Sequence, residues 1–279
     1  MLAAVLPISP GIRRTTLILN VSIVAVYFLL AYADSFRRTL LLGVIRDWFP
    51  VTLMLLCYRE MGWFAQAHTS FDLENSWVVW DRIILNAWGG RALIEALGPV
   101  LPSLLEISYS LVYAIAPFSM AMLYFYRQRE RVNIFLFTFL LGILLSYSLF
   151  PYFPSEPPRT VFPGEDFPTV NTIFRRFNWY LLGGYGIHTS VFPSAHVSGA
   201  FAAAFGMRLA LPERQWIERL LLVLATLIAI ATVYGRYHYA VDGLAGVAVS
   251  LVAWGVAWRL RKRLVFVGET TSYRKMQRA

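Results

Sequence analysis

The chain has 279 residues, of which 58% are hydrophobic, 16% aromatic and only 15% charged. A soluble domain of this length cannot hide so much apolar surface in one core, so the composition excludes a water-soluble globular protein. Lysines and arginines outnumber acids and give a net charge of +9. In a soluble protein that excess would indicate nucleic acid or another anionic partner. The sequence instead predicts an integral membrane protein.

Long apolar runs recur along the chain, separated by short polar segments. They cover residues 15–33, 39–58, 104–127, 132–150, 194–211, 217–234 and 240–260. Each run is near the ~20 residues that a helix needs to cross the hydrocarbon of a bilayer. The alternation of apolar and polar residues typical of membrane β-barrels does not recur. The predicted fold class is therefore all-α, with a polytopic membrane topology.

The run at 39–58 is irregular, because Arg46, Asp47 and Pro50 lie inside it. Charged side chains are costly at the depth of the hydrocarbon. The run either crosses the membrane, which gives seven spans, or only dips into it, which gives six. Both alternatives stay open.

Residues 76–97 have the pattern of an amphipathic helix. Its apolar side chains are Trp77, Trp80, Ile84, Leu85 and Trp88, and its polar ones are Asp81, Arg82, Asn86 and Arg91. Such a helix is suited to the membrane interface. Packing against the helical bundle is the equal alternative.

The positive charges predict how the chain is oriented. If the last three runs alternate in direction, one face receives most of the arginines and lysines, including those of the tail after Trp258. The positive-inside rule makes that face, and the C-terminus, cytoplasmic. The segment 151–193 then lies on the outer face, where its seven prolines break any long helix and predict a loop.

Few residues can carry chemistry. Cys57 is the only cysteine, so neither a disulfide framework nor a thiolate metal site is available. Of the four histidines, His68 and His188 lack suitable partners nearby and are predicted to be structural, with His188 as a weaker functional candidate because it closely precedes the motif that contains His196. His196 begins one predicted span and His238 follows the next one. Because successive spans run in opposite directions, we expect both histidines on the same side of the membrane and at the same depth.

A carboxylate completes this pair of histidines. Asp242 follows His238 by four residues, one helical turn, where it can accept the imidazole N–H and fix the tautomer. A histidine held in this way is suited to nucleophilic attack, and His196 can protonate the leaving oxygen. A lone histidine near a membrane interface is more often a packing residue, and it is the joint pattern that favours catalysis.

Three further residues on the predicted outer face can hold an anion. Arg159 and Arg236 carry forked guanidinium groups that suit a phosphate. Ser194 can donate a hydrogen bond at the start of its helix, where the backbone amides also favour an anion. A simple N-cap is the alternative role for Ser194.

Two motifs resemble a known family. The segments Phe-Pro-Ser-Ala-His-Val-Ser at 192–198 and Arg-Tyr-His-Tyr-Ala-Val-Asp at 236–242 resemble the second and third motifs of the type-2 phosphatidic acid phosphatase superfamily. The signature His-Tyr-x-x-Asp is similar to that of its inositol phosphorylceramide and sphingomyelin synthase branch.

The resemblance covers residues 104–260. It implies a six-helix core and an active site at the outer or luminal face of the membrane. It also implies a phosphohistidine intermediate on His238, acid catalysis by His196, orientation by Asp242, and neither a metal nor another cofactor. The predicted organisation is an N-terminal region of membrane segments and interfacial helix at 1–103, the catalytic core at 104–260 and a basic cytoplasmic tail at 261–279. Together they form one structural domain.

The chain departs from the superfamily's pattern at three positions. Tyr152 stands where the first motif begins with lysine, and Thr232 stands where the third motif has an arginine. Arg236 is the substitute for that arginine. Ala195 replaces the glycine of many phosphatases in the second motif.

The predicted function is that of a membrane lipid phosphotransferase. It moves a phosphoryl-linked head group from a membrane lipid to a lipid or alcohol acceptor, with no nucleic acid as partner. With water as the acceptor, the same chemistry makes a lipid phosphate phosphatase, and the sequence does not decide between them.

Two other classes remain as rivals. A transporter would line a polar path with residues such as Arg46, Asp47 and Glu60, and it predicts repeated segments or paired half-helices that the sequence lacks. A metal-dependent hydrolase would use Asp242 and the two histidines as ligands. No fourth ligand or general base accompanies them.

Overall fold

The structure is a computed structural model that describes residues 8–37, 39–64, 70–187 and 191–276, without the side chains of 185 and 265–276. His68 and His188, predicted to be structural, lie outside the described residues. The chain divides into two compact units, an N-terminal unit, Met1–Gln66, and a main unit, Ala67–Ala279.

The described residues form helices and no strand, so the predicted all-α fold is confirmed. Five helices are long and apolar enough to cross a membrane, and a sixth span is present if one bent pair of helices counts as one. The chain is therefore a multi-pass membrane protein.

The N-terminal unit consists of α1, Pro10–Arg37, and α2, Leu40–Phe64. α2 continues through Pro50 for 25 residues and meets the length and composition of a span, which favours the crossing alternative for the run at 39–58. The guanidinium of Arg46 binds both Asp34 and Asp47, at 2.8 and 2.7 Å. Two of the charges that a transporter would need, Arg46 and Asp47, are thus paired within this unit, and Glu60 accepts hydrogen bonds from the amide of Asn20 at 3.1 Å.

The main unit contains ten helices among its described residues. They are α3 Asp72–Arg82, α4 Gly90–Glu95, α5 Val100–Ser110, α6 Val112–Phe125, α7 Val132–Leu149, α8 Pro158–Val161, α9 Ile173–Tyr185, α10 Ala195–Ala210, α11 Gln215–Tyr234 and α12 Ala240–Met276.

The 16-residue helix α10 is the centre of the main unit and packs against α7, α11 and α12. Its buried face consists mostly of alanine and glycine, which let neighbouring backbones approach closely. A Cβ on Gly142 of α7, for example, would lie only 2.6 Å from the Cβ of Ala202 in α10. This packing places the first turn of α10 beside the start of α12.

The span predicted at 104–127 is not one continuous helix. It is two helices, α5 and α6, bent by 64° at Leu111. Pro117 lies in the second turn of α6, has no N–H to bond the carbonyl of Tyr113, and weakens the turn next to the break.

The prediction of a loop over 151–193 is also wrong for part of that segment. The short helix α8 and the 13-residue helix α9 lie within it. The segment between Pro168 and Pro193 has no proline, and Thr172 caps α9 by accepting a hydrogen bond from the Arg175 N–H at 3.1 Å. The prolines therefore interrupt helices only near the two ends of the segment 151–193.

The amphipathic segment at 76–97 is broken into α3, a π-helical turn at Ile83–Ala87, and α4. Its burial does not follow the division into apolar and polar residues. Asp81, one of the polar residues, is fully buried, whereas Trp80 and Trp88, two of the apolar residues, are exposed. The segment packs a carboxylate inward, together with Trp77, which stacks on Phe192 at 5.1 Å.

Candidate active site

The two histidines singled out from the sequence lie next to each other. His196 is in the first turn of α10, and His238 is in the turn between α11 and α12. Their ring centroids are 5.6 Å apart with an interplanar angle of 58°. A phosphorus atom bound to one ring would therefore have its leaving oxygen within reach of the other.

Asp242 lies in the first turn of α12 and is completely buried. Its Oδ2 is 3.4 Å from Nδ1 of His238 and accepts a hydrogen bond from the Tyr239 N–H at 2.9 Å. The 3.4 Å contact is longer than an ordinary N–H···O hydrogen bond. Catalytic hydrogen bonds of this length in a ligand-free enzyme commonly shorten when substrate binds.

The elements that carry these residues are joined through Ser194. Its hydroxyl caps α10 by accepting from the Val197 N–H at 3.4 Å, as the N-cap alternative predicts. Its own N–H donates to the carbonyl of Asp242 at 3.0 Å. Because the oxygen of Ser194 accepts from the helix, its hydroxyl proton remains available to an anion at the α10 N-terminus.

Burial and charge set the protonation state of His238. Burial lowers its pKa to about 3, and the positive charge of Arg159 acts in the same direction. The imidazole is therefore neutral near pH 7. A nucleophilic nitrogen requires that state.

Arg159 of α8 is hydrogen-bonded to the turn that carries His238. Its backbone N–H donates to the carbonyl of Arg236 at 3.3 Å, and its Nη1 donates to the carbonyl of Tyr237 at 3.3 Å. The guanidinium is thus bound to the residue before His238, and among the described residues it keeps four of its five N–H donors for other partners.

Arg236 is in a different environment from the one expected of a phosphate ligand. It is 0% exposed, and its Nη1 donates to Oδ2 of Asp81 at 2.7 Å. Its Nε and Nη2 have no hydrogen-bond partner among the described residues. One side of the guanidinium is thus held by a carboxylate, and the nitrogens Nε and Nη2 remain for another partner.

Aromatic rings that the sequence analysis did not single out surround His196. Tyr109 stacks on its imidazole at 5.3 Å and 14°, and Tyr113 approaches edge-on at 6.1 Å. Tyr109 in turn stacks on Tyr237 at 4.1 Å. These contacts fix the plane of the imidazole.

A buried polar cluster holds this stack from behind. Glu106 of α5 accepts hydrogen bonds from the hydroxyl of Tyr237 at 2.6 Å, from Arg175 at 3.0 Å and from Asn178 at 2.7 Å. Arg175 and Asn178 belong to α9, whose residues Ile173 and Tyr180 are exposed. The hydrophobicity of the segments gives no indication of this cluster.

All six residues predicted for the site lie at the first turn of α10 or around the turn before α12. They are Arg159, Ser194, His196, Arg236, His238 and Asp242. The described residues contain no group of three or more His, Cys, Asp and Glu side chains placed to hold a metal ion. Metal independence stays a prediction.

Comparison with known proteins gives three similarities. A family model described as PAP2 superfamily matches residues 80–256, more than half of the chain. A PA-phosphatase related-family protein of Dictyostelium discoideum is 29% identical over 132 residues, or 44% of this chain, and the match spans only 22% of that relative's length. The crystal structure of Aquifex aeolicus LpxE is 21% identical, with a TM-score of 0.47, over 63% of this chain and 95% of that chain.

Proposed function

The chain belongs to the PAP2 superfamily and is a phosphatase-type enzyme of the membrane, and on that premise we propose that it transfers the phosphoryl group of a membrane lipid through a phosphohistidine on His238. The observation that carries the proposal is the facing pair of imidazoles, 5.6 Å apart, with a buried carboxylate behind His238. That geometry also supports the roles of the individual residues.

In the first step, the Nε2 lone pair of His238 attacks phosphorus, and the bond from phosphorus to the leaving oxygen breaks. His196 donates its proton to that oxygen, so the lipid leaves as an alcohol. Asp242 stabilises the positive charge that develops on the ring of His238 through its Nδ1–H. The negative charge of the incoming phosphate favours the protonated form of His196.

In the second step, the oxygen of an acceptor hydroxyl attacks phosphorus and the bond to Nε2 breaks. His196 takes the proton of the acceptor, which restores both histidines. Arg159, Arg236 and the hydroxyl of Ser194 hold the phosphate oxygens in both steps, together with the N-terminal amides of α10. No electron transfer is required.

The identity of the acceptor separates a phosphatase from a phosphotransferase. Water as the acceptor agrees with the phosphatase-type superfamily. A lipid hydroxyl agrees with the signature His-Tyr-Ala-Val-Asp at 238–242, which is similar to the sphingolipid synthase branch. The acceptor that reaches phosphohistidine first, and the exclusion of water, decide the outcome.

We place the reaction on the extracytoplasmic or luminal face, with the C-terminus in the cytoplasm. The excess of arginine and lysine at the opposite ends of the spans supports this orientation. The substrate would then enter sideways from the outer leaflet.

The test uses the purified full chain in detergent with a panel of labelled lipid phosphates and phosphodiesters, with and without diacylglycerol or ceramide. We expect turnover and an acid-labile, base-stable phosphoprotein, both lost in His238→Ala. Free phosphate as the only product in every mixture would refute lipid transfer. Full turnover by both His238→Ala and His196→Ala would refute the catalytic proposal, and solute transport by proteoliposomes without turnover would favour a transporter.

A further inference from the structure

Asp81 is a completely buried carboxylate that α3 inserts beside the turn between α11 and α12. Its Oδ2 accepts a hydrogen bond from Nη1 of Arg236 at 2.7 Å. Its Oδ1 accepts a hydrogen bond from the backbone N–H of Ala240 at 2.8 Å. One oxygen therefore binds the residue two positions before His238, and the other binds the residue two positions after it.

The turn that carries His238 needs such a restraint. Arg236 has a φ of 63°, in the left-handed region that an arginine seldom adopts. On the α11 side, the N–H groups of Tyr237 and His238 both donate to the carbonyl of Thr232, at 2.8 and 3.0 Å. Asp81 supplies the corresponding anchor from outside the turn, so the backbone around His238 is held at both ends.

We propose that Asp81 is a positioning residue for His238, acting through the guanidinium of Arg236 and the N–H of Ala240 rather than by touching the substrate. It holds the imidazole at the distance from His196 that transfer of the phosphoryl group to His238, and then from it, requires. The catalytic consequence of this inference rests on the proposed function, whereas its conformational consequence does not.

The chemistry of the pair explains why a carboxylate is needed there. An aliphatic side chain could fill the same volume, but it could not accept the two hydrogen bonds, and the buried Arg236 would be left without a counter-charge. Asparagine has nearly the same shape and one amide oxygen. It can therefore keep one of the two contacts and tests the loss of the other.

The experiment compares Asp81→Asn with Asp72→Asn, a matched control at the exposed first turn of the same helix. Two readouts are measured on the full chain in detergent. The first is kcat and KM for phosphate release. The second, which needs no turnover, is the rate at which diethyl pyrocarbonate modifies His238, followed by mass spectrometry of its peptide. Wild-type His238 has a side-chain exposure of only 8%.

We expect kcat of Asp81→Asn to fall roughly 10- to 100-fold with KM within about threefold of wild type, as for a displaced catalytic group. We expect modification of His238 to accelerate several-fold, with both values unchanged in Asp72→Asn. Unchanged kcat and unchanged modification in folded Asp81→Asn would overturn the inference. A similar acceleration in Asp72→Asn would also overturn it, because it would indicate general loosening.

Two further comparisons keep the inference testable. If Asp81→Asn does not fold, the double variant with Asp81→Leu and Arg236→Met removes both buried charges, and His238 should again be modified several-fold faster than in wild type. Slow modification in that variant would refute positioning by Asp81. If the wild type releases no phosphate from any lipid, the proposed function fails, while the modification rates still decide the role of Asp81.

Discussion

Gly246 of α12 lies close to the first turn of α10. A Cβ on Gly246 would lie 2.7 Å from the carbonyl oxygen of Ser194 and 3.1 Å from the Cβ of Val197. That oxygen cannot move away easily, because it accepts the hydrogen bond from the Ser198 N–H at 2.9 Å. Gly246→Ala must therefore push α12 away from α10.

The size of the effect follows from these distances. Carbon and oxygen atoms that are not bonded to each other stay about 3.3 Å apart or more, so the helices must separate by about 0.6 Å. Overpacking of this kind costs about 1–3 kcal/mol of the free energy of unfolding. The separation also moves His238 and Asp242 relative to His196, and a misplacement of ~1 Å can cost about 100-fold in rate. We expect a roughly tenfold loss of kcat or more.

The assay is thermal unfolding of the purified protein in detergent together with lipid phosphate turnover. Gly255→Ala on the same helix is the matched control, because a Cβ there would meet no side chain or neighbouring helix of the described residues within 4 Å. Replacing a helical glycine by alanine without a clash should stabilise α12 by about 0.5–1 kcal/mol. Gly246→Ala that matches Gly255→Ala in both unfolding temperature and kcat would refute the close approach of α10 and α12.

Three other predictions concern stability, binding and pH. Tyr237→Phe removes the hydroxyl bound to a buried carboxylate and should cost about 1–3 kcal/mol in urea or thermal unfolding, whereas exposed Tyr180→Phe should cost nothing measurable. Arg159→Ala should lower kcat/KM about 100-fold, and exposed Arg176→Ala should match wild type; equal losses would contradict the placement of Arg159. Because burial lowers the pKa of His238 to about 3 from 6.5 in the unfolded chain, the unfolded state binds the extra proton and stability should fall from pH 6.5 toward pH 3. His238→Ala should flatten this dependence, and an unchanged slope would contradict a buried neutral imidazole.

The helices were predictable where a span has to be apolar throughout. The run at 217–234 corresponds to α11, Gln215–Tyr234, and the run at 132–150 to α7, Val132–Leu149. Both end at charged or turn-forming residues, because polar groups are excluded from the hydrocarbon. The bend at Leu111 was not predictable in this way, since α5 and α6 together still have the hydropathy of one span.

The polar interior was harder to predict than the spans. The position of Asp242 four residues after His238 is a local feature, and the sequence displays it directly. Asp81 and Arg236 are separated by 155 residues, and nothing in the amphipathic pattern marks which polar face turns inward. In α9 the same ambiguity applies, because Arg175 is buried while the aromatic Tyr180 is exposed. In a membrane protein, an amphipathic helix can pack by either face.

The shortness of α10 bears on where the reaction takes place. Its 16 residues extend about 24 Å, some 6 Å less than a typical hydrocarbon thickness of ~30 Å. If its C-terminal end lies at the cytoplasmic boundary of the hydrocarbon, His196 at the other end lies below the level of the outer lipid phosphates. A substrate phosphate must then descend into a recess, or the bilayer must thin around it. In the proposed mechanism, an acceptor hydroxyl would then meet the phosphorylated His238 at a depth where water is scarce.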